Sequence, residues 1–212
     1  MEELPDQNIF MMCRALRRDA LATVPAPYRV RSCRPDELAV WKAMPFDDAA
    51  TAAAYDGFME AWFQTTYAAR ADEFFARTRF LCDQRDRPVA TCMVWRAYDA
   101  IETIHWLKVV KAHEGKGLGR AVLSLVMQDL DETRYPVYLH TQPGSYRAIK
   151  LYSDFGFDLL AGDRFGSRTN DLAECLPILE RHMPAEAFRS LRIATPPEDF
   201  VRFLETVTTI QF

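Results

Sequence analysis

The spacing of apolar residues changes along the chain from a helical period to strict alternation and back. Between residues 51 and 69 apolar and aromatic side chains recur every three or four positions, which predicts a helix with an aromatic face. Three later runs alternate with a period of two and are separated by short polar breaks: "TRFLCDQ", "VATCMVWRAY" and "IETIHWLKVV". Alternating runs joined by short turns predict three strands in an antiparallel meander.

Further helices and strands are predicted on both sides of this meander. The segment "NIFMMCRALRRDAL" predicts a short amphipathic helix before two prolines, so residues 1–27 are assigned to an N-terminal helix and linker. A strand over 28–33 and a helix in "RPDELAVWKAM" follow. After the meander come a helix from about 118, a strand "VYLHT", a helix over 145–155, a strand near "FDLL" and a last helix in "TPPEDFVRFLETV".

Composition and charge narrow the class of protein. The chain has 212 residues and 49% hydrophobic content, which is enough for one substantial domain core. Asp and Glu number 30 against 26 Lys and Arg, without a dense basic run, so nucleic acid is not an expected partner. Without a signal core or a long apolar window, we expect a cytoplasmic protein with no membrane partner. Five scattered cysteines predict free thiols, and the four histidines lack zinc-site spacing, so no metal is expected.

The segment "HEGKGLGRAV" has three glycines within five residues, between a predicted strand and a predicted helix. Backbone N–H groups and the dipole at a helix N-terminus favour an anion there, and Lys116 and Arg120 add two cations. The pattern therefore predicts a phosphate-binding loop, and the alternative is a glycine-rich turn that only connects strand to helix. A P-loop is disfavoured because Lys116 is followed by Gly117, and a dinucleotide fold because the spacing is GxGxG after a meander.

Two motifs in this order resemble a known family. The segment "LKVVKAHEGKGLGRAV" resembles the acetyl-CoA motif of the GNAT superfamily of N-acetyltransferases, and "LHTQPGSYRAIKLYSDFGF" is similar to the later motif of that superfamily. The resemblance implies an α/β (α+β mixed-sheet) GNAT-like fold: a central, mostly antiparallel sheet with a splayed pair of parallel strands, flanked by helices. Residues 28–165 would form this acetyltransferase domain, with a C-terminal extension, 166–212, packed on it.

The resemblance also implies a function. It implies an acetyl-CoA-dependent N-acyltransferase that moves the acetyl group of acetyl-CoA, its cosubstrate, to a primary amine of a small molecule or peptide by direct attack in a ternary complex. The C-terminal extension could serve a homodimer, the acceptor site or neither. A non-catalytic acyl-CoA sensor or scaffold, and more remotely another kind of nucleotide-binding protein, are the alternatives. The implied cosubstrate-binding residues are Leu107, Val109, Glu114, Gly115, Lys116, Gly117, Leu118, Gly119, Arg120, Ser145 and Tyr152.

Two of these residues depart from the family pattern. Glu114 stands where the family usually has Arg or Gln, and a carboxylate beside a pyrophosphate is unfavourable unless it points outward. Ser145 replaces a common asparagine at the start of the later helix, and both residue types are good N-caps.

Acetyl transfer to an amine needs a neutral nucleophile. A lysine-like amine is neutral in only about one molecule in 2,500 at pH 7, so a positioned general base would raise the rate. Tyr152 matches the family tyrosine that protonates the CoA thiolate, and the alternative is a helix residue packed over the core. His105 is the first candidate for the general base because histidine titrates near the working pH, and its alternative role is a hydrogen-bonded histidine in a packed sheet. Glu102 is the second candidate for the general base, and its alternative role is a solvated charge at a strand end. His140 is the third candidate.

An aromatic set lies where the family builds the wall of its acceptor site, although residues at helical spacing are more typical of a core. Nearby carboxylates could attract a cationic amine or belong to a solvated loop. The aromatic set is Trp41, Phe46, Tyr55, Phe58 and Trp62, and the carboxylates are Asp47, Asp48 and Asp56.

Overall fold

A computed structural model describes residues 4–212. The strands are β1 Ile9–Cys13, β2 Arg29–Ser32, β3 Arg79–Cys82, β4 Pro88–Ala97, β5 Ile101–Val109, β6 Val137–Thr141, β7 Phe157–Leu160, β8 Arg164–Phe165, β9 Arg168–Thr169 and β10 Ile193–Ala194. The α-helices are α1 Leu38–Ala43, α2 Ala49–Ala54, α3 Asp56–Thr66, α4 Ala71–Arg77, α5 Leu118–Met127, α6 Tyr146–Asp154, α7 Leu172–His182, α8 Ala185–Arg189 and α9 Glu198–Thr206.

The chain divides into two compact units, and β5 begins in one and continues in the other. The terminal unit contains the described residues up to Arg18, then Tyr98–Thr103 and Asp131–Phe212. The central unit contains Asp19–Ala97 and Ile104–Leu130. Strands in both units are flanked by helices, and they pair in antiparallel and in parallel, which gives the expected mixed α/β class.

The central unit is built on the strand order β5-β4-β3-β2. Strand β3 is antiparallel to β4, as predicted, and also to β2. Strand β5 lies next to β4, so the predicted order of the three meander strands is confirmed. Helix α5 packs on β3 and β4 with its apolar stripe, because Leu118, Val122 and Met127 recur at helical spacing and are buried. The predicted helix over 51–69 is interrupted at Tyr55, where α2 ends and α3 begins.

The terminal unit has the strand order β10-β7-β1-β6-β5. Strand β1 is antiparallel to both of its neighbours, β6 and β7, while β10 is parallel to β7. Strands β5 and β6 form the predicted parallel pair, with Glu102 opposite Val137 and Thr103 opposite Tyr138. The last predicted helix is confirmed as α9, and α7 and α8 precede it in a region that the sequence pattern left without assigned elements.

The N-terminal prediction was wrong. Residues 1–3 lie outside the described residues, but Ile9–Cys13 form a strand and not an amphipathic helix. All five of its side chains are buried, because β1 has a strand on each side and both faces are covered. A short run of apolar residues buried on both faces lacks the alternation of a half-buried strand, so periodicity alone cannot separate it from a helix. The N-terminal segment is therefore part of the terminal unit's sheet, as is β10 from the predicted C-terminal extension.

None of the helices within residues 4–212 is both long and apolar enough to span a membrane. All five cysteines are free and buried, in agreement with the expected free thiols.

Candidate functional site

The glycine loop lies in the central unit between the end of β5 and the start of α5. The N–H of Val110 donates to the carbonyl oxygen of Val89 at 2.8 Å, which ties the loop's first residue to β4. A 3-10 turn, Lys111–His113, follows, and the Tyr28 hydroxyl lies 2.9 Å from Nδ1 of His113. The predicted arrangement of strand, loop and helix is thus confirmed, with the loop held at its base by backbone and side-chain hydrogen bonds.

Two of the three glycines have left-handed backbone conformations. Gly115 has φ of 74° and Gly117 has φ of 78°, in the region where residues with a Cβ are disfavoured. Gly117 is the N-cap of α5, and its carbonyl oxygen accepts the helix's first hydrogen bond, from Ala121 N–H at 3.0 Å. Gly119 lies within the first turn of α5. The first N–H groups of an α-helix have no partner within the helix, so the loop ends on donors suited to an anion.

A Cβ built on Gly115 or on Gly117 would have no atom of the described chain within 4 Å. The loop backbone therefore faces open space and could be approached closely by a phosphate group. The Lys116 side chain is exposed, and its Nζ lies 3.2 Å from the Ala112 carbonyl oxygen. Arg120 extends away from this backbone far enough for Nη1 to donate to the Ala20 carbonyl oxygen at 3.0 Å. The side chain of Glu114 is exposed to solvent.

The regular pleat of β5 is interrupted before the loop. Trp106 has φ of 55°, an uncommon value for a bulky residue and a local departure from strand geometry. The simple alternation expected along residues 101–108 therefore stops at Trp106. Leu107 and Val109 follow it on the last part of β5 and are half-buried.

His105 is buried in the central unit and hydrogen-bonded. Its Nδ1 lies 2.5 Å from the hydroxyl oxygen of Tyr67, and the same oxygen accepts N–H bonds from Trp62 at 3.2 Å and from Trp106 at 3.0 Å. Burial lowers the pKa of His105 to about 3, since the charged imidazolium is disfavoured away from water. The ring is therefore neutral at physiological pH.

Glu102 belongs to the terminal unit and is 3% exposed, so it is not a solvated strand-end charge. Both of its carboxylate oxygens accept from Arg134, with Nε to Oε1 at 3.0 Å and Nη2 to Oε2 at 2.6 Å. Such a bidentate pair occupies both of the carboxylate oxygens. His140, in the same unit, lies with Nε2 2.8 Å from the amide oxygen of Asn8.

Ser145 and Tyr152 also lie in the terminal unit, Ser145 directly before α6 and Tyr152 within it. Ser145 is at the N-cap position, but its side chain makes no capping hydrogen bond to the helix. The expected capping role of its hydroxyl is therefore wrong, because φ of −89° and ψ of 28° differ from the extended conformation of a side-chain N-cap. Tyr152 is buried, with its ring centroid 5.7 Å from that of Phe157.

The aromatic set divides between core and surface. Trp41 is 1% exposed and packs edge-to-face on Phe74, whereas Tyr55 and Phe58 are 51% and 53% exposed. The three predicted carboxylates make local contacts: Asp47 pairs with Lys108, Asp48 caps α2 through Thr51, and Asp56 pairs with Lys42.

Sequence reasoning missed two residues that contact the candidate bases. Tyr67 is the C-cap residue of α3; it lies within the predicted helix over 51–69 but is not one of the named aromatic set. Arg134 lies in a 3-10 turn before β6. Neither falls in a motif, so no sequence signal pointed to them. Within residues 4–212 no group of three His, Cys, Asp or Glu side chains is arranged to hold a metal ion.

The sequence was compared with protein-family models, curated proteins and solved structures. The model of the GNAT acetyltransferase family matches residues 46–157, which is more than half of the chain. No curated protein matches the sequence.

Solved structures similar to the chain include three with low sequence identity. A GCN5-related N-acetyltransferase from Sphaerobacter thermophilus is 19% identical with a TM-score of 0.45, over 73% of this chain and 49% of that chain. An acetyltransferase of the GNAT family from Colwellia psychrerythraea is 13% identical with a TM-score of 0.48, over 73% and 53%. A Drosophila protein is 13% identical with a TM-score of 0.48, over 72% and 47%. The chain spans about half the length of these structures.

Proposed function

The chain belongs to the GNAT family of acetyltransferases, and we propose that it moves the acetyl group of acetyl-CoA to a primary amine of a small molecule or peptide. The family implies acyl transfer from an acyl-CoA. The choice of acetyl-CoA, the amine acceptor and direct attack within a ternary complex are parts of the proposal.

The glycine loop is the observation that carries this proposal. Gly115 and Gly117 present an open backbone at the N-terminus of α5, where N–H groups and the helix dipole attract a pyrophosphate. Exposed Lys116 adds a cation, and Leu107 and Val109 on the preceding strand supply backbone groups for the pantetheine arm. Because backbone N–H groups would make the phosphate contacts, an acidic but exposed Glu114 is compatible with binding.

The chemistry proposed for this chain is direct attack of a neutral amine on the thioester carbonyl. The new C–N bond forms and the C–S bond breaks, the attacking nitrogen releases one proton to solvent, and the departing thiolate takes up one proton from an acid that solvent then reprotonates. We assign that proton to Tyr152, because its segment resembles the family motif that carries the acid. A positioned acid or base contributes about 10²- to 10⁴-fold to the rate.

A non-catalytic acyl-CoA sensor is the second candidate, and specific observations favour it. The first two residues considered as the general base are both engaged elsewhere, since His105 is buried at the Tyr67 hydroxyl and Glu102 is paired with Arg134. A protein that only recognises acyl-CoA would keep the loop and would need no base.

The ligand class is tested by thermal denaturation with acetyl-CoA, CoA, ATP and NAD. A ligand at 100 times its Kd stabilises the folded protein by about 2.7 kcal/mol, so acetyl-CoA and CoA should raise the Tm while ATP and NAD should not. Absence of any shift with both CoA species would remove the enzyme and the sensor together.

Turnover on a panel of amines then separates enzyme from sensor. We expect Tyr152→Phe to lower kcat by about 10²-fold or more, since the acid is lost. Tyr135→Phe is the matched control, because the Tyr135 hydroxyl is buried without a hydrogen-bond partner among residues 4–212 and its removal should leave kcat unchanged. Binding of acetyl-CoA without turnover on any amine would identify the sensor.

A further inference from the structure

The hydroxyl of Tyr67 is the meeting point of three nitrogen-containing rings in the central unit. Trp62 Nε1 lies 3.2 Å from the hydroxyl oxygen, Trp106 Nε1 lies 3.0 Å from it, and His105 Nδ1 lies 2.5 Å from it. Tyr67 itself is completely buried. The rings of Trp41, Phe74 and Trp95 pack around that of Tyr67 at centroid distances of 4.8–5.8 Å and exclude water from the cluster.

The chemistry of these groups fixes the position of each proton. An indole N–H can only donate, so the Tyr67 oxygen accepts from both Trp62 and Trp106. The one hydrogen of the Tyr67 hydroxyl must then go to the remaining partner, Nδ1 of His105, which has to be an unprotonated acceptor. A neutral imidazole with an unprotonated Nδ1 carries its hydrogen on Nε2.

Burial keeps the cluster uncharged. It lowers the pKa of His105 to about 3 and raises the pKa of Tyr67, because both charged forms would lose hydration. Burial is the cause of the lowered pKa of His105. The guanidinium of Arg70 lies 4.1 Å above the Trp95 ring, at the edge of the cluster. At pH 7 His105 is therefore neutral.

We propose that Tyr67 is a positioning residue that fixes His105 as the neutral tautomer protonated at Nε2, so that His105 is a hydrogen-bond donor and not the general base. The consequence of this inference for catalysis rests on the proposed function, whereas the tautomer itself does not. The acceptor must lose its ammonium proton to solvent before it attacks, so the neutral amine is selected from solution. The rise of kcat/KM with pH then follows the pKa of the acceptor and not that of a histidine.

The tautomer can be measured on the full chain without any turnover. Nitrogen-15 NMR of the histidine side chains, with His105 assigned through His105→Gln, should show hydrogen on Nε2 and none on Nδ1 from pH 5 to 9. Titration of His105 within this range, or hydrogen on Nδ1, would overturn the proposal.

Two variants separate the hydroxyl from the packing. Tyr67→Phe removes the donor to Nδ1, so His105 should lose its fixed tautomer. Trp62→Phe removes one donor to the Tyr67 oxygen but keeps the Tyr67 hydroxyl, so the tautomer should persist. If Tyr67→Phe does not fold, the wild type and Trp62→Phe still decide the question, since each must keep hydrogen on Nε2.

The kinetic consequence is tested with two amine acceptors of different pKa. The midpoint of the kcat/KM profile should move with the acceptor, and should be the same in His105→Gln as in the wild type. A midpoint that stays near pH 6–7 for both acceptors, and disappears in His105→Gln, would show that His105 is the base. If His105 carries its hydrogen on Nε2 but no amine is turned over, the proposed enzyme is refuted and the tautomer assignment stands. If an amine is turned over but the hydrogen is on Nδ1, the tautomer assignment is refuted and the proposed enzyme stands.

Discussion

Replacement of Gly117 by alanine tests the left-handed backbone at the start of α5. An added Cβ would have no atom within 4 Å, so the substitution creates no steric clash with the rest of the described chain. Its cost comes from the backbone alone, because φ of 78° is unfavourable for a residue with a Cβ by about 1–2 kcal/mol. We therefore expect the free energy of unfolding to fall by about 1–2 kcal/mol.

Gly57→Ala is a matched control for this experiment. Gly57 is the second residue of α3, it does not have a positive φ, and a Cβ there would also have no atom within 4 Å. Alanine in a helix is more favourable than glycine by about 0.5–1 kcal/mol, so this variant should be more stable than the wild type. The same methyl group in open space is thus expected to change stability in opposite directions at the two positions.

The measurement is urea denaturation of the wild type and the two variants, followed by thermal denaturation with and without acetyl-CoA. A change of 1 kcal/mol corresponds to about 2–4 °C in Tm for a chain of this size. We expect Gly117→Ala to weaken acetyl-CoA binding by about tenfold, or 1.4 kcal/mol, while Gly57→Ala should leave it unchanged. Equal stability of the two variants would refute the backbone argument. A destabilised Gly117→Ala with unchanged acetyl-CoA affinity would show that the loop is not the binding element.

Three further predictions concern the strands and their charges. Met11→Ala, in the completely buried β1, should destabilise the protein by about 2–5 kcal/mol in urea denaturation, whereas an effect below about 1 kcal/mol would contradict its burial. Arg134→Met leaves the buried Glu102 carboxylate without its bidentate partner and should cost about 3 kcal/mol, largely recovered when Glu102→Gln is added; no recovery would refute the pairing argument. Hydrogen bonds from Arg87 hold the pKa of Asp83 at about 2. The contribution of this pair to the stability of the folded protein is therefore complete above about pH 4 and is lost as the pH falls toward 2. Asp83→Asn should therefore make stability less dependent on pH in that window, and an unchanged slope in acid denaturation would contradict it.

The sequence located most of the elements near the candidate site, because each has a local signal. Alternation marked β3, β4 and β5, and the glycines followed by an apolar helical stripe marked the loop and α5. Tyr152 and Ser145 were proposed as site residues because of a motif, and the structure places that segment on α6 and its N-cap. These assignments depend on short-range patterns, which can be recognised from a few neighbouring residues without knowledge of the remaining chain.

The surroundings of the candidate bases were less predictable, because they depend on contacts between distant residues. His105 was chosen for the ordinary pKa of histidine, but Tyr67, 38 positions away in the sequence, donates to its ring and burial lowers its pKa to about 3. Glu102 was expected to be either a base or a solvated charge, but Arg134, 32 positions away in the sequence, pairs with it. The ionisation of a group depends on what surrounds it in the folded protein. The sequence shows which group is present but not which residues surround it.

The sequence by itself determined the family, the glycine loop and the order of most helices and strands, since backbone propensity and apolar spacing act over a few residues. Only the tertiary structure decided that Ile9–Cys13 form a strand between β6 and β7, because burial on both faces removes the alternation that would have marked it. Only the tertiary structure also decided which nitrogen of His105 carries the proton, because that depends on where the hydroxyl of Tyr67 and two indole N–H groups meet.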